Sequence, residues 1–130
     1  EGNGGVIFPK LHAGRDALVG IALFLTLLAK KKKSVSELRR EYPVYYMSKQ
    51  RADLQEGTDT KALFARIAER FASDHPNTID GVKIDFPSSW VHMRASNTEP
   101  IVRIYTEAPT EEEANSLGEK FCDIVLEMLR

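Results

Sequence analysis

Arg94 and Arg103 flank the stretch Ala95-Ser96-Asn97-Thr98-Glu99-Pro100, which is rich in side-chain donors. A guanidinium presents planar donors that match phosphate oxygens, the hydroxyls of Ser96 and Thr98 and the amide of Asn97 add more, and loop N–H groups can complete a cradle. Hydrogen bonds to charged groups contribute about 1.5 to 3 kcal/mol each, so a few of them hold a phosphate without any basic surface around it. The same residues also suit a polar hairpin turn with two solvated arginines, because Ser and Asn are ordinary turn formers. Residue pattern alone leaves both readings open.

Other groups that could do chemistry carry weaker signals. His12, His75 and His92 have no metal-like spacing with one another or with Cys122, so no metal site is expected. Ser34, Ser36, Ser88 and Ser89 read as cap and turn residues. His12 and Arg15 stand just before an apolar run, either within reach of a substrate or as part of the cap region of the helix that follows. Cys122 adjoins the apolar stripe of the last helix and reads as packing. As the single cysteine it cannot form an internal disulfide, which favours a reducing compartment and hence the cytoplasm. Lys and Arg number 18 against 19 Asp and Glu, so no summed field favours nucleic acid or an anionic membrane.

Several elements must position the arginines. Val82, Ile84 and Phe86 alternate with Lys83 and Asp85 in the manner of a half-buried strand, and Trp90 to Arg94 and Ile101 to Glu107 read as two more. Alternation places Trp90, His92 and Arg94 on one face and Val91 and Met93 on the other. With Val102 and Ile104 also turned inward, Arg94 and Arg103 both project from the open face beside the loop. Upstream, Val44 to Leu54 reads as a strand, and Leu63, Ile67 and Phe71, with Phe64 and Ala68, mark a helix from Thr60 to Ser73. Thr110-Glu111-Glu112-Glu113 fits a capping box before a helix whose stripe is Ala114, Leu117, Phe121, Ile124 and Met128. Strand, helix, three strands and helix in that order imply an α+β fold, an antiparallel sheet with its helices on one face.

Residues 1–43 read as a separate unit from residues 44–130. The run Ala17 to Ala29 covers 13 largely apolar positions, whereas a membrane span needs roughly 20, so a buried helix is expected and no anchor. Such a helix must be covered on most sides. Lys30 to Lys33 complement its C-terminal dipole, Ser34 to Glu37 fits a capping box for a short second helix, and Pro43 closes the unit. A hydrophobic content of 42% and a charged content of 28% over 130 residues suit a globular chain of domain size.

The string Arg94-Ala95-Ser96-Asn97-Thr98-Glu99-Pro100-Ile101-Val102-Arg103-Ile104-Tyr105 resembles the phosphate-binding loop of the α-D-phosphohexomutases, the superfamily of phosphoglucomutase, phosphomannomutase and phosphoglucosamine mutase. Glu1-Gly2-Asn3-Gly4-Gly5 resembles their sugar-recognition loop, with Asn3 where Ser is common and Gly5 where His is common. The resemblance implies that residues 1–43 are the C-terminal end of an α/β third domain. It implies that residues 44–130 are the fourth, phosphate-binding domain, a TATA-binding-protein-like four-stranded antiparallel sheet. It further implies interconversion of hexose 1-phosphate and 6-phosphate through a phosphoserine enzyme and a hexose 1,6-bisphosphate intermediate, assisted by magnesium.

On this resemblance Arg94, Ser96, Asn97, Thr98 and Arg103 would hold phosphate, and Glu1 and Asn3 would meet sugar hydroxyls. The family's phosphoserine motif and magnesium loop have no match here, so no residue of this chain is expected to be catalytic and the isolated chain is expected to be inactive. The partners implied are the phosphosugar substrate and the N-terminal domains of a longer parent, with neither nucleic acid nor membrane. The alternative is a non-catalytic module that binds phosphosugars or other phosphoanions.

Overall fold

The computed structural model describes residues 4–129, so Glu1 and Asn3 lie outside the described residues. The chain divides into two compact units, Glu1–Pro43 and Val44–Arg130.

In the first unit, β1 (Ile7–Phe8) and β2 (His12–Arg15) form an antiparallel hairpin, with Ile7 opposite Arg15 and Phe8 opposite His12. This hairpin is not expected from the sequence, because its strands are too short and too irregular to show alternation. Helix α1 (Ala17–Lys31) follows, capped by Asp16, whose carboxylate accepts from the Val19 N–H at 3.0 Å. Lys32 closes it with φ of 51°, and Lys30 and Lys31 occupy the last turn, where cations suit the dipole. The expected burial is absent: no residue of α1 is buried, and Leu18 and Ile21 remain 79% and 56% exposed. The apolar circumference is real, but the unit has too few apolar elements to surround it. Helix α2 (Val35–Glu41) carries the complete capping box, in which Ser34 accepts from the Glu37 N–H and Glu37 accepts from the Ser34 N–H at 2.7 Å.

The second unit is a four-stranded antiparallel sheet in the order β3-β6-β5-β4, formed by β3 (Tyr46–Asp53), β4 (Val82–Asp85), β5 (Trp90–Ala95) and β6 (Ile101–Ala108). Helices α3 (Thr60–Arg70) and α4 (Glu111–Met128) complete it. The fold class is the α+β arrangement expected. Alternation produces the two faces: Val82, Ile84, Val91, Met93, Val102 and Ile104 are all fully buried, while Lys49, Arg51, Arg94 and Arg103 are exposed. Leu63 and Ile67 from α3 and Phe121, Ile124 and Val125 from α4 meet the inner face in one core. The Phe121 ring lies 5.2 Å from that of Phe71 and 6.4 Å from that of Phe86, centroid to centroid, and full burial of Phe121 contributes roughly 1.5–3 kcal/mol. Buried Thr106 is satisfied by donating to the Ala114 carbonyl at 2.7 Å.

Two boundaries differ from expectation. β3 begins at Tyr46, not Val44, because its ladder starts where Tyr46 meets Ala108, the last residue of β6. α3 ends at Arg70, and a 3-10 turn over Ala72–Asp74 leads to His75, whose φ of 51° turns the chain before Pro76.

Candidate phosphate-binding site

Strands β5 and β6 lie side by side with Arg94 directly opposite Arg103, and the loop between them closes over the end of the pair. The loop is shaped by its own hydrogen bonds: the Ser96 N–H donates to the Ile101 carbonyl at 3.0 Å and the Ile101 N–H to that of Glu99 at 2.8 Å. Ser96 Oγ accepts from the Thr98 N–H at 3.4 Å, and the two hydroxyls stand 3.4 Å apart. At the far side, the Leu54 N–H ties the Pro100 carbonyl to the end of β3 at 2.7 Å.

This geometry brings Arg94, Ser96, Asn97, Thr98 and Arg103 into the lining of one pocket of about 300 Å3, where His92 and Tyr105 join them. Like charges placed directly opposite on a sheet repel, and each guanidinium here has an acidic neighbour that offsets this. Arg94 Nε lies 3.1 Å from Asp80 Oδ2, and Arg103 Nη2 lies 3.6 Å from Glu99 Oε2. Both pairs are solvent-exposed, so each contributes little to stability and is open to exchange with an incoming anion.

Asp80 reaches Arg94 through the turn before β4. Gly81 holds φ of 73°, and a Cβ there would fall 2.0 Å from the Met93 carbonyl oxygen, so only glycine lets the turn press against β5. The Asp80 carbonyl also lies 2.7 Å from His92 Nε2. One turn residue therefore orients both basic side chains of β5. Asp80 engages Nε and, among the described residues, no ion pair holds the terminal nitrogens of Arg94, which lines the pocket, so they are available for bidentate recognition of an oxyanion.

Asp80, His92 and Tyr105 are not among the site residues expected from the sequence. Alternation already places His92 with Arg94 and Tyr105 with Arg103, which is the available signal. Asp80 has none, because its approach to Arg94 depends on the pairing of β4 with β5. Glu1 and Asn3, expected to meet sugar hydroxyls, lie outside the described residues. His12 sits in β2, His75 in the turn after α3 and His92 on the sheet; among the described residues no three His, Cys, Asp or Glu side chains gather to hold a metal ion. Burial, then the neighbouring Asp123 and Glu119, push the Cys122 thiol upward, and its Sγ donates to Gln50 Oε1 at 3.3 Å, a packing role. No described helix is long and apolar enough to cross a membrane.

Residues 49–124 match the family model for the phosphoglucomutase/phosphomannomutase C-terminal domain, and residues 1–45 match that family's alpha/beta/alpha domain III. A phosphoglucomutase/phosphomannomutase of Thermococcus kodakarensis is 42% identical over 132 aligned residues that cover all of this chain. A phosphoglucosamine/phosphogalactosamine mutase of Sulfurisphaera tokodaii is 39% identical over 96% of it. The chain spans 28% of the length of each of these relatives. Among solved structures, Aspergillus fumigatus N-acetylphosphoglucosamine mutase in complex with GlcNAc-6P and magnesium superposes with a TM-score of 0.54 at 20% identity, over 91% of this chain and 22% of that one. That likeness concerns the fold.

Proposed function

The chain belongs to the phosphoglucomutase/phosphomannomutase family, and from that membership we infer that it is the substrate-binding C-terminal part of a phosphohexomutase. The parent interconverts hexose 1-phosphate and 6-phosphate through a phosphoserine and a bisphosphosugar intermediate. The observation that carries this reading is the opposition of Arg94 and Arg103 across β5 and β6, with Ser96, Asn97 and Thr98 in the same pocket.

Phosphoryl transfer depends on placing the reacting group and stabilising its charge. In this reading Arg94 and Arg103 grip the phosphate that is not reacting, while Ser96, Asn97 and Thr98 fill its remaining acceptor sites. The ester at the other end of the sugar is thereby aimed at a phosphoserine supplied by the rest of the parent. Glu1 and Asn3 contact ring hydroxyls and bear on which hexose is preferred. The apolar flank of α1 is covered by the remainder of the third domain. The described residues offer no fit for magnesium, so no step is assigned through it and its site belongs to the N-terminal domains. The chain alone is inactive. The single thiol, half-buried and without a disulfide partner in the chain, accords with a cytoplasmic parent.

Arg94→Ala in the full-length parent tests the assignment. Loss of one charge-assisted grip should lower kcat/KM by about 10- to 100-fold for glucose and mannose phosphates alike. Unchanged kcat/KM would remove the loop from the reaction. A parent that binds glucose 6-phosphate but never isomerises it would leave the alternative, a phosphosugar-binding module.

A further inference from the structure

The line of guanidiniums extends beyond the loop pocket. Arg51 on β3 lies directly opposite Arg103 on β6, which in turn lies opposite Arg94 on β5. Directly opposed residues share a face of the sheet, and neighbouring strands lie about 4.8 Å apart, so three guanidiniums rise from the open face along a line of about 10 Å. The next row continues the pattern, with Lys49 opposite Tyr105 and Tyr105 opposite His92. The Lys49 ammonium stands 5.7 Å from the centroid of the Tyr105 ring, which holds it over the sheet.

A second pocket, of about 390 Å3, opens on the β3 side of this line, with Lys49, Arg51 and Glu99 in its lining, and it shares Arg103 and Tyr105 with the first. Folding does not require this arrangement. Outward positions on an open face accept many polar residues, and three like charges in register oppose pairing of the strands. The carboxylates that offset them are loosely engaged: Arg51 Nε is 3.7 Å from Asp53 Oδ1, and Arg103 is 3.6 Å from Glu99. Exposed pairs at such distances yield readily to a phosphate, which carries more charge and more acceptors.

We propose that Lys49 and Arg51 form a second anion subsite beside the Arg94 loop, and that the two subsites together hold both phosphate groups of a bisphosphorylated hexose, with Arg103 between them. The proposal rests on the reading of the Arg94 loop as a phosphate site. It adds a location on the sheet itself where the intermediate stays bound while neither of its phosphates is at the serine. A hexose with phosphates at opposite ends has the reach to span two strand spacings; pyrophosphate, of comparable charge, does not.

The test uses this chain labelled with 15N, following the arginine Nε–H signals during titration with glucose 6-phosphate, glucose 1,6-bisphosphate and pyrophosphate. Glucose 1,6-bisphosphate should bind about fivefold or more tightly than glucose 6-phosphate and shift the signals of both Arg94 and Arg51. Arg51→Ala, and Arg51→Gln as a variant that keeps the body of the side chain, should abolish that advantage and leave glucose 6-phosphate affinity unchanged. Equal affinity for the two sugars, or pyrophosphate matching the bisphosphate, overturns the second subsite. A shift at Arg94 with none at Arg51 overturns it too while leaving the first reading intact. No shift at Arg94 with any ligand overturns the phosphate reading of the loop itself.

Discussion

Helices α1 and α4 begin alike and end differently. Each is opened by a side-chain cap, Asp16 accepting from the Val19 N–H at 3.0 Å and Thr110 from the Glu113 N–H at 3.2 Å. The sequence of α1 is apolar almost throughout, whereas seven of the eighteen residues of α4 are charged. Yet α4 buries Ala114, Gly118, Phe121, Ile124 and Val125, and α1 buries no residue. Burial therefore follows the partner and not the apolar content. In the second unit the sheet offers α4 a face of matching Val, Ile and Met side chains, and the glycine at 118 lets the Gln50 amide reach the Asn115 carbonyl at 3.1 Å. Hairpin β1-β2 and the short α2 present no such face.

The contrast should be largest in the cores. Phe121→Ala should destabilise the second unit by about 3–5 kcal/mol, read from denaturant unfolding of the whole chain, through lost burial and the cavity it leaves. Leu18→Ala in α1 should shift the same measurement by no more than about 0.5 kcal/mol. Equal losses at the two positions would show that the partner face does not govern what each helix contributes. In the full-length parent Leu18→Ala should become costly, the result expected if the rest of the protein covers α1.

A smaller separation is expected at the caps. Thr110→Ala and Asp16→Ala each remove one N-terminal acceptor, costing about 1 kcal/mol locally. Hydrogen exchange should report the first as faster opening across the second unit and the second as faster exchange confined to the opening turns of α1. If Asp16→Ala also loosens β5 and β6, the units are not energetically independent.

The smallest effect belongs to α2. Hydrogen bonds from the Ser34 hydroxyl and then the Ser34 N–H, aided by Lys33, hold the Glu37 carboxyl below its ordinary value. A depressed carboxylate contributes its stabilisation above the unfolded pKa and loses it as pH falls through the folded one. The Ser34 amide signal and the Cα shifts of residues 35–41 should therefore be steady at neutral pH and move toward coil values only below the usual glutamate range. The second unit should show no matching change at its own N-cap Thr110, which is neutral. A loss of α2 order near neutral pH would contradict the capping box as the cause.

Much of the second unit is legible in the order of its residues. Alternation in residues 82–86, 90–94 and 101–107 marks the strands and separates the inward Val91, Met93, Val102 and Ile104 from the outward arginines. Leu63, Ile67, Phe121 and Ile124 at helical spacing mark the faces of α3 and α4 that reach the core. The loop from Ser96 to Pro100 can be read from residue type, since hydroxyls, an amide and flanking guanidiniums are a chemical pattern that does not depend on distant pairing. The hairpin β1-β2 is not legible, because a two-residue strand has no period. The uncovered flank of α1 runs against the expected burial because periodicity reports that a surface is apolar and says nothing about whether a partner is at hand.

Local features are written in the order of residues: which residues cap helices, which side of each strand is apolar, and which loop carries phosphate-type donors. These follow from one to four residues of spacing along the chain. The order β3-β6-β5-β4, the register that aligns Arg51, Arg103 and Arg94, and the approach of Asp80 to Arg94 arise instead from pairing between remote segments. Register is set by how remote strands share one core: slipping β3 by a single residue would expose Ser48 and Ala52 and drive Lys49 and Arg51 inward, so the buried face fixes where the charged face falls.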